Sequence, residues 1–165
     1  MNLFPADIEA AAARIIAEFS AGGLTLATAE SCTGGLIIGA LTEISGSSSV
    51  VDRGFITYSN QAKIDLLGVQ PETLERFGAV SRQTALEMVD GALRHAGSDL
   101  AVAVTGIAGP GGGSADKPVG LVHLAAGSAK GKRLHREMRY GELGRSGIRL
   151  ATVRTALQML IETAS

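Results

Sequence analysis

The sequence predicts an α/β protein, a three-layer α/β/α sandwich built on a mixed, mostly parallel sheet of about five strands. Three observations predict it. An apolar run, LTLATA (24–29), passes straight into a helix-patterned segment, which marks a β/α unit. Strand-like and helix-like segments then alternate along most of the chain, as parallel strands require for their crossovers. Finally, PVGLVHLAAG (118–127) and KRLHREMRY (132–140) are two strand-like runs joined by a short loop, so the last pairing is antiparallel and the sheet is mixed.

After PADIEA, residues Ile8, Ala11, Ile15 and Phe19 follow helical spacing, and Gly22 with Gly23 supply a left-handed stop. LTLATA is short and bounded, as a buried strand is. From about Thr33, the positions Ile37, Leu41 and Ile44 mark one face of a second helix closed by Gly46. VVDRGFITYSN (50–60) mixes β-branched and aromatic residues and reads as the second strand. NQAKIDLLG (60–68) forms a short helix ending at Gly68, and PETLERFG (71–78) another, begun by Pro71. Ser81 is the N-cap of a longer helix with a stripe of Ala85, Met88, Val89, Ala92 and Leu93 and a stop at Gly97. LAVAVTG (100–106) is the clearest buried strand, whereas GIAGPGGGSADK (106–117) is too rich in glycine to be regular. A final helix runs from about Ser146 to Ile161, offering Ile148, Val153, Leu157 and Leu160 to the sheet. No repeat or linker interrupts the pattern, so residues 1–165 are read as one domain.

A chain of 165 residues can bury roughly 70% of its unfolded surface. Fifteen basic against sixteen acidic side chains leave a formal charge of -1, which gives no electrostatic footprint for nucleic acid. The single cysteine, Cys32, rules out an internal disulfide and any multi-cysteine metal site. No apolar run of about 18 residues is present, and Asp7 and Glu9 stand where a signal peptide would be positive. The expectation is a soluble cytoplasmic protein without membrane partners. His95, His123 and His135 show neither metal-ligand spacing nor a serine-triad partner, so no metal is expected.

Ligands of open α/β sheets gather beyond the carboxyl ends of the parallel strands, and three segments qualify there. In TAESCTGG (28–35), Ser31 lies near a helix start, where free N–H groups and the dipole favour a developing negative charge. Ser31 or Thr33 can equally be a simple helix cap. Cys32 lacks an adjacent basic neighbour to make it a thiolate and reads as packed inside, while Glu30 either caps locally or orients a base. In TYSNQAK (57–63), Tyr58 and Lys63 can project over one sheet edge, and a desolvated lysine can act as a general base; a solvated surface lysine is the plain alternative. TGIAGPGGGSADK (105–117) has five glycines among residues 106–113, which allow close backbone approach to a phosphate or flat ring. It matches neither a P-loop nor a dinucleotide fingerprint. Thr105 ends the strand before it and can donate a hydrogen bond or merely serve β propensity. Arg145 opens the last helix against the dipole, a penalty of roughly 0.3 to 1 kcal/mol that a bound anion would reverse; loose pairing with Glu142 is the alternative.

The stretches AESCTGGLIIGALTEISGSSSVVDRGFITYSNQAK, GAVSRQTALEM, VAVTGIAGPGGGSADKPVGLVHLA and GRSGIRLATVRTAL together closely resemble the CinA C-terminal family over nearly the whole chain. Enzymatic members of that family are nicotinamide mononucleotide deamidases, which convert it to nicotinate mononucleotide and ammonia in pyridine nucleotide recycling. Longer members carry an N-terminal domain resembling molybdopterin-binding proteins; here the first helix follows Met1 almost at once, and the expectation is the stand-alone form. One departure is that Gly-Arg-Ser-Gly (144–147) replaces acidic residues common around the family's final arginine motif.

The resemblance implies Ser31 as nucleophile, Lys63 as its base, and Tyr58 nearby to orient or share the proton. It further implies a substrate pocket that includes Thr105 and Ser48, with Arg145 and the glycines Gly106, Gly109 and Gly111 around the phosphate and ribose. Helix geometry makes the N–H groups near Thr33 and Gly34 candidates for the oxyanion hole. No cofactor or metal enters the scheme, the partner is a small nucleotide substrate, and a homodimer or higher homo-oligomer accompanies the resemblance. Two rival readings are a non-catalytic nucleotide-binding regulatory module and an amidase for another carboxamide.

Overall fold

Eleven regular elements and one short 3₁₀ turn make up the computed structural model, which describes residues 2–165. They run α1 (Ala6–Gly22), β1 (Leu26–Glu30), α2 (Leu36–Thr42), β2 (Val51–Ile56), α3 (Asn60–Leu67), α4 (Pro71–Phe77), α5 (Arg82–Ala96), β3 (Leu100–Gly106), β4 (Leu121–Ser128), β5 (Arg133–Arg139) and α6 (Gly144–Ala164). The five strands form one sheet in the order β2-β1-β3-β4-β5. β1 pairs parallel with β2 and with β3, while β4 pairs antiparallel with β3 and with β5. Strand direction is therefore mostly shared, with β4 alone reversed, and the ladders divide evenly between the two kinds.

Alternation of side chains along the strands sorts the core into two layers. Leu26, Val102, Val104, Val122 and Leu124 pack with α1, α2 and α6 on one face. Ala29, Ala101, Ala103 and Ala125 face the other way, against α3, α4 and α5. The alanines are the reason the second layer sits close to the sheet. Gly91 on α5 carries the same logic further, because a Cβ there would lie 2.0 Å from the Leu67 carbonyl oxygen at the end of α3. The second helix begins at Leu36, later than its apolar stripe predicts. Residues 31–35 turn instead, with Gly34 and Gly35 at φ of 58° and 102°, conformations a helix does not contain. The last helix is longer than expected at both ends, and β2 stops at Ile56, so that Thr57, Tyr58 and Ser59 are connection rather than strand and Asn60 opens α3.

Candidate active site

Chain order in the sheet reverses at β1, which connects through α2 to β2 on one side and pairs with β3 on the other. The carboxyl ends of β1 and β3 therefore border a crevice, the position where open α/β sheets take their ligands. A cavity of about 190 Å³ lies there, lined by Ser31, Cys32, Tyr58, Asn60, Lys63, Ala79, Val80, Thr105, Gly106, Ala108 and Arg145.

At its base, Lys63 Nζ lies 3.1 Å from Ser31 Oγ, although 32 residues separate them. Ser59 caps α3 by accepting from the Ala62 N–H, which aims the first turn and Lys63 inward toward β1. Lys63 is 1% exposed. Its other contacts are the carbonyl oxygens of Thr57 at 2.9 Å and Tyr58 at 3.3 Å. Among the described residues it has no carboxylate partner. Burial pushes its pKa below the ordinary 10.5, because the charged form is the one desolvation penalises. The inward lysine of the two sequence alternatives is the one realised.

Glu30 settles what the turn after β1 uses as its cap. It is fully buried, and its carboxylate accepts from Thr33 Oγ1 (2.7 Å), Thr28 Oγ1 (3.1 Å) and the N–H groups of Gly35 (3.2 Å), Ile37 (2.9 Å) and Ile38 (3.0 Å). The Gly35, Ile37 and Ile38 amides at the opening of α2 are thus satisfied by the Glu30 side chain rather than by the Ser31 or Thr33 hydroxyl. This leaves the Ser31 hydroxyl to Lys63. Thr33 spends its own hydroxyl on Glu30 and does not line the cavity.

Several expected site residues take other positions. The Gly34 N–H donates to the Ser31 carbonyl at 3.0 Å, so it is not a free oxyanion donor. Ser48 sits in the 3₁₀ turn Ser47–Ser49 before β2, at the opposite end of the parallel strands, because that turn feeds the start of β2. Tyr58 lines the cavity, but its phenol oxygen receives Arg145 Nη2 at 3.2 Å and only its carbonyl reaches Lys63. Thr105 donates to the Ala79 carbonyl at 2.8 Å and so ties the segment ahead of α5 to the cavity wall. In the glycine loop, a Cβ at Gly106 would meet Val122 at 2.6 Å and one at Gly109 would meet Val119 at 2.5 Å. Gly106, at the end of β3, lies close against β4 and lines the cavity, whereas Gly109 serves the packing of the loop on Val119. Gly111 faces open space and, like Gly109, stands outside the cavity lining.

Arg145 reaches across the mouth, donating Nη1 to the Gly109 carbonyl at 2.7 Å and Nη2 to Tyr58. It joins the glycine loop, the β2–α3 connection and the start of α6, and it makes no ion pair with Glu142. Sequence reasoning missed Asn60, Ala79, Val80 and Ala108. The Ser-Asn opening of α3 and the GAVS run before the Ser81 cap were the available signals, since both lie at strand-to-helix or helix-to-helix turns. Cys32 is 5% exposed and its thiol pKa is pushed up to about 12, chiefly by burial, so it forms an uncharged part of the wall. His123 and His135 stack with ring centroids 5.2 Å apart and share a 3.0 Å nitrogen contact; burial depresses both pKa values. Among the described residues no group of three or more His, Cys, Asp or Glu side chains is placed to hold a metal. No helix among them is long and apolar enough to cross a membrane.

A buried lysine against a serine hydroxyl, at the switch point of an α/β sheet and beneath an arginine, defines a site equipped for attack on a carbonyl. Residues 8–164 match the CinA C-terminal domain, and the chain belongs to that family. It is 68% identical to a competence/damage inducible protein of Agrobacterium tumefaciens, whose crystal structure superposes with a TM-score of 0.99 over 100% of both chains. A CinA superfamily protein of Escherichia coli is 35% identical, with a TM-score of 0.89 over 98% of this chain and 94% of that one. A protein of Enterobacter agglomerans named nicotinamide-nucleotide amidohydrolase PncC is 50% identical over 142 residues, 86% of each chain. A CinA-like protein of Synechococcus is 51% identical over 96% of this chain, yet the chain spans only 38% of that relative's length.

Proposed function

We propose that this protein is an amidohydrolase that converts nicotinamide mononucleotide to nicotinate mononucleotide and ammonia, with Ser31 as nucleophile and Lys63 as general base, in pyridine nucleotide recycling. The observation that carries the proposal is the buried 3.1 Å contact between Lys63 Nζ and Ser31 Oγ. A neutral amine has two hydrogens and one lone pair. The Thr57 and Tyr58 carbonyls accept the hydrogens, which leaves the lone pair for the Ser31 O–H. The named amidohydrolase of Enterobacter agglomerans supports the same reading.

In the first half-reaction Ser31 Oγ bonds to the carboxamide carbon as its proton passes to Lys63. The tetrahedral intermediate then collapses, its C–N bond breaks, and Lys63 returns the proton to the leaving nitrogen, which departs as ammonia. Water attacks the resulting ester while Lys63 takes a proton from it; the C–O bond then breaks, Lys63 returns that proton to Ser31 Oγ, and the carboxylic acid is released. A cavity of about 190 Å³ is smaller than the roughly 300–1,000 Å³ of sites that enclose a whole ligand. It suits the pyridine carboxamide, with ribose and phosphate lying along the mouth. Arg145 would exchange two neutral acceptors for the charged phosphate, a stronger partner.

Incubation of the purified protein with nicotinamide mononucleotide, with ammonia release as readout, tests the proposal. Ser31→Ala and Lys63→Met should each abolish turnover while ligand binding persists. Full activity in Ser31→Ala would remove the nucleophile, and ammonia from other carboxamides but not from this one would replace the substrate.

A further inference from the structure

We infer that Arg149 is a positioning residue for the reaction: it locks the peptides after Ser31 so that the Cys32 N–H group serves as the oxyanion donor. The inference rests on the amidase reading above. Arg149 lies on α6, one helical turn beyond Arg145, and does not line the cavity. Its Nε donates to the Cys32 carbonyl and its Nη2 to the Thr33 carbonyl, each at 3.0 Å. One planar guanidinium therefore holds two successive carbonyls, a geometry its rigid fork permits and a lysine ammonium does not reproduce.

The amides of the turn can be accounted for one by one. Ser31 N–H donates to Val104 O, Gly34 N–H to Ser31 O and Leu36 N–H to Thr33 O. Those of Gly35, Ile37 and Ile38 go to the Glu30 carboxylate. Among the described residues, the N–H groups of Cys32 and Thr33 find no acceptor in the chain, although these residues are only 5% and 0% exposed. Buried donors without an acceptor are costly, and of these two Cys32, which directly follows the nucleophile, borders the cavity. A trans peptide carries its C=O and N–H on opposite edges. With Ser31 O held by the Gly34 N–H, the Cys32 N–H must leave on the opposite edge of that peptide. Arg149 holds the two peptides that follow, and the second of them carries the Gly34 N–H that fixes the Ser31 carbonyl, so Arg149 acts on the Cys32 N–H through the turn rather than by direct contact.

The tests are the kinetics of Arg149→Lys and its binding of 3-pyridineboronic acid, which forms a tetrahedral anionic adduct with an active serine. Loss of a whole oxyanion donor costs about 10²–10³ in kcat, so misaligned donors should cost about 10-fold or more. The expected result is a fall of that size in kcat, an unchanged KM for the mononucleotide, and boronate binding weakened by a similar factor. An unchanged kcat overturns the inference, and so does a kcat loss with boronate affinity intact or a change confined to KM. Thermal melting sets a temperature at which both proteins are folded. Arg149→Gln, which can donate to one carbonyl without charge, gives a second series read by the same outcomes. If the parent releases no ammonia from the mononucleotide while Arg149→Lys still weakens boronate binding, the substrate reading fails and the positioning role stands.

Discussion

Replacing Glu30 probes the joint between fold and site most directly. In Glu30→Gln, the amide oxygen can take the place of Oε1 and keep Thr33, Gly35 and Ile37. The amide nitrogen then occupies the place of Oε2. Thr28 can rotate its hydroxyl to accept from it, but the Ile38 N–H, 3.0 Å from that oxygen, meets another donor. One stranded buried amide costs about 1–3 kcal/mol, and loss of the negative charge at the start of α2 adds roughly 0.3–1 kcal/mol. The expected loss is about 2–3 kcal/mol. Glu30→Ala strands the Gly35, Ile37 and Ile38 amides together and should cost about 3–5 kcal/mol, since each stranded donor costs about 1–3 kcal/mol and water entering the vacated space relieves part of it. Urea unfolding measures both, with ammonia release measured in parallel because the Ser31 turn hangs on the same carboxylate. A Gln variant as stable as the parent, or an Ala variant no worse than Gln, would refute the assignment of Glu30 as the organiser of this turn.

Lys63 should impose a rising limb on turnover with pH, centred below its ordinary 10.5 because burial disfavours the ammonium; a limb centred at or above 10.5 contradicts the base assignment. In the window between its lowered folded pKa and 10.5 the unfolded chain binds the extra proton, so stability rises with pH there, and Lys63→Met should lose that slope in unfolding measured across the window. Arg145→Ala should raise KM for the mononucleotide about 10-fold or more, as loss of a charge-assisted bond predicts, while leaving the unphosphorylated riboside nearly unaffected; equal losses on both would move Arg145 away from the phosphate. Gly91→Ala should cost about 1–3 kcal/mol of stability by overpacking and reduce turnover, since the new methyl pushes on the Leu67 carbonyl of the helix that carries Lys63; parental stability and rate would show that α3 and α5 separate without consequence.

Helix α5 was legible because its apolar stripe, its Ser81 cap and its Gly97 stop all lie within one short window, and the structure uses each of them. β3 was legible because a strand buried on both faces needs an unbroken apolar run. The turn after β1 was not. Its apolar positions continue the α2 stripe, but Gly34 and Gly35 adopt positive φ and Glu30 gathers the amides, and no periodicity records a carboxylate folding back on the chain ahead of it. Ser48 misled because a serine near the site in sequence was carried to the wrong end of the strands by the α2 crossover.

By itself the sequence determined the alternation of strands and helices, the mixed sheet, and the loops able to gather at one edge, since each depends on contacts between near neighbours and on the periods of 2 and 3.6 residues. Tertiary structure alone decided that Lys63 turns inward to Ser31, that Arg145 spans the mouth to Gly109 and Tyr58, and that Arg149 grips the Cys32 and Thr33 carbonyls. Those contacts join residues 32 to 117 positions apart. Their energy exists only once the sheet has excluded water from the crevice, and nothing in the local pattern of the chain encodes it.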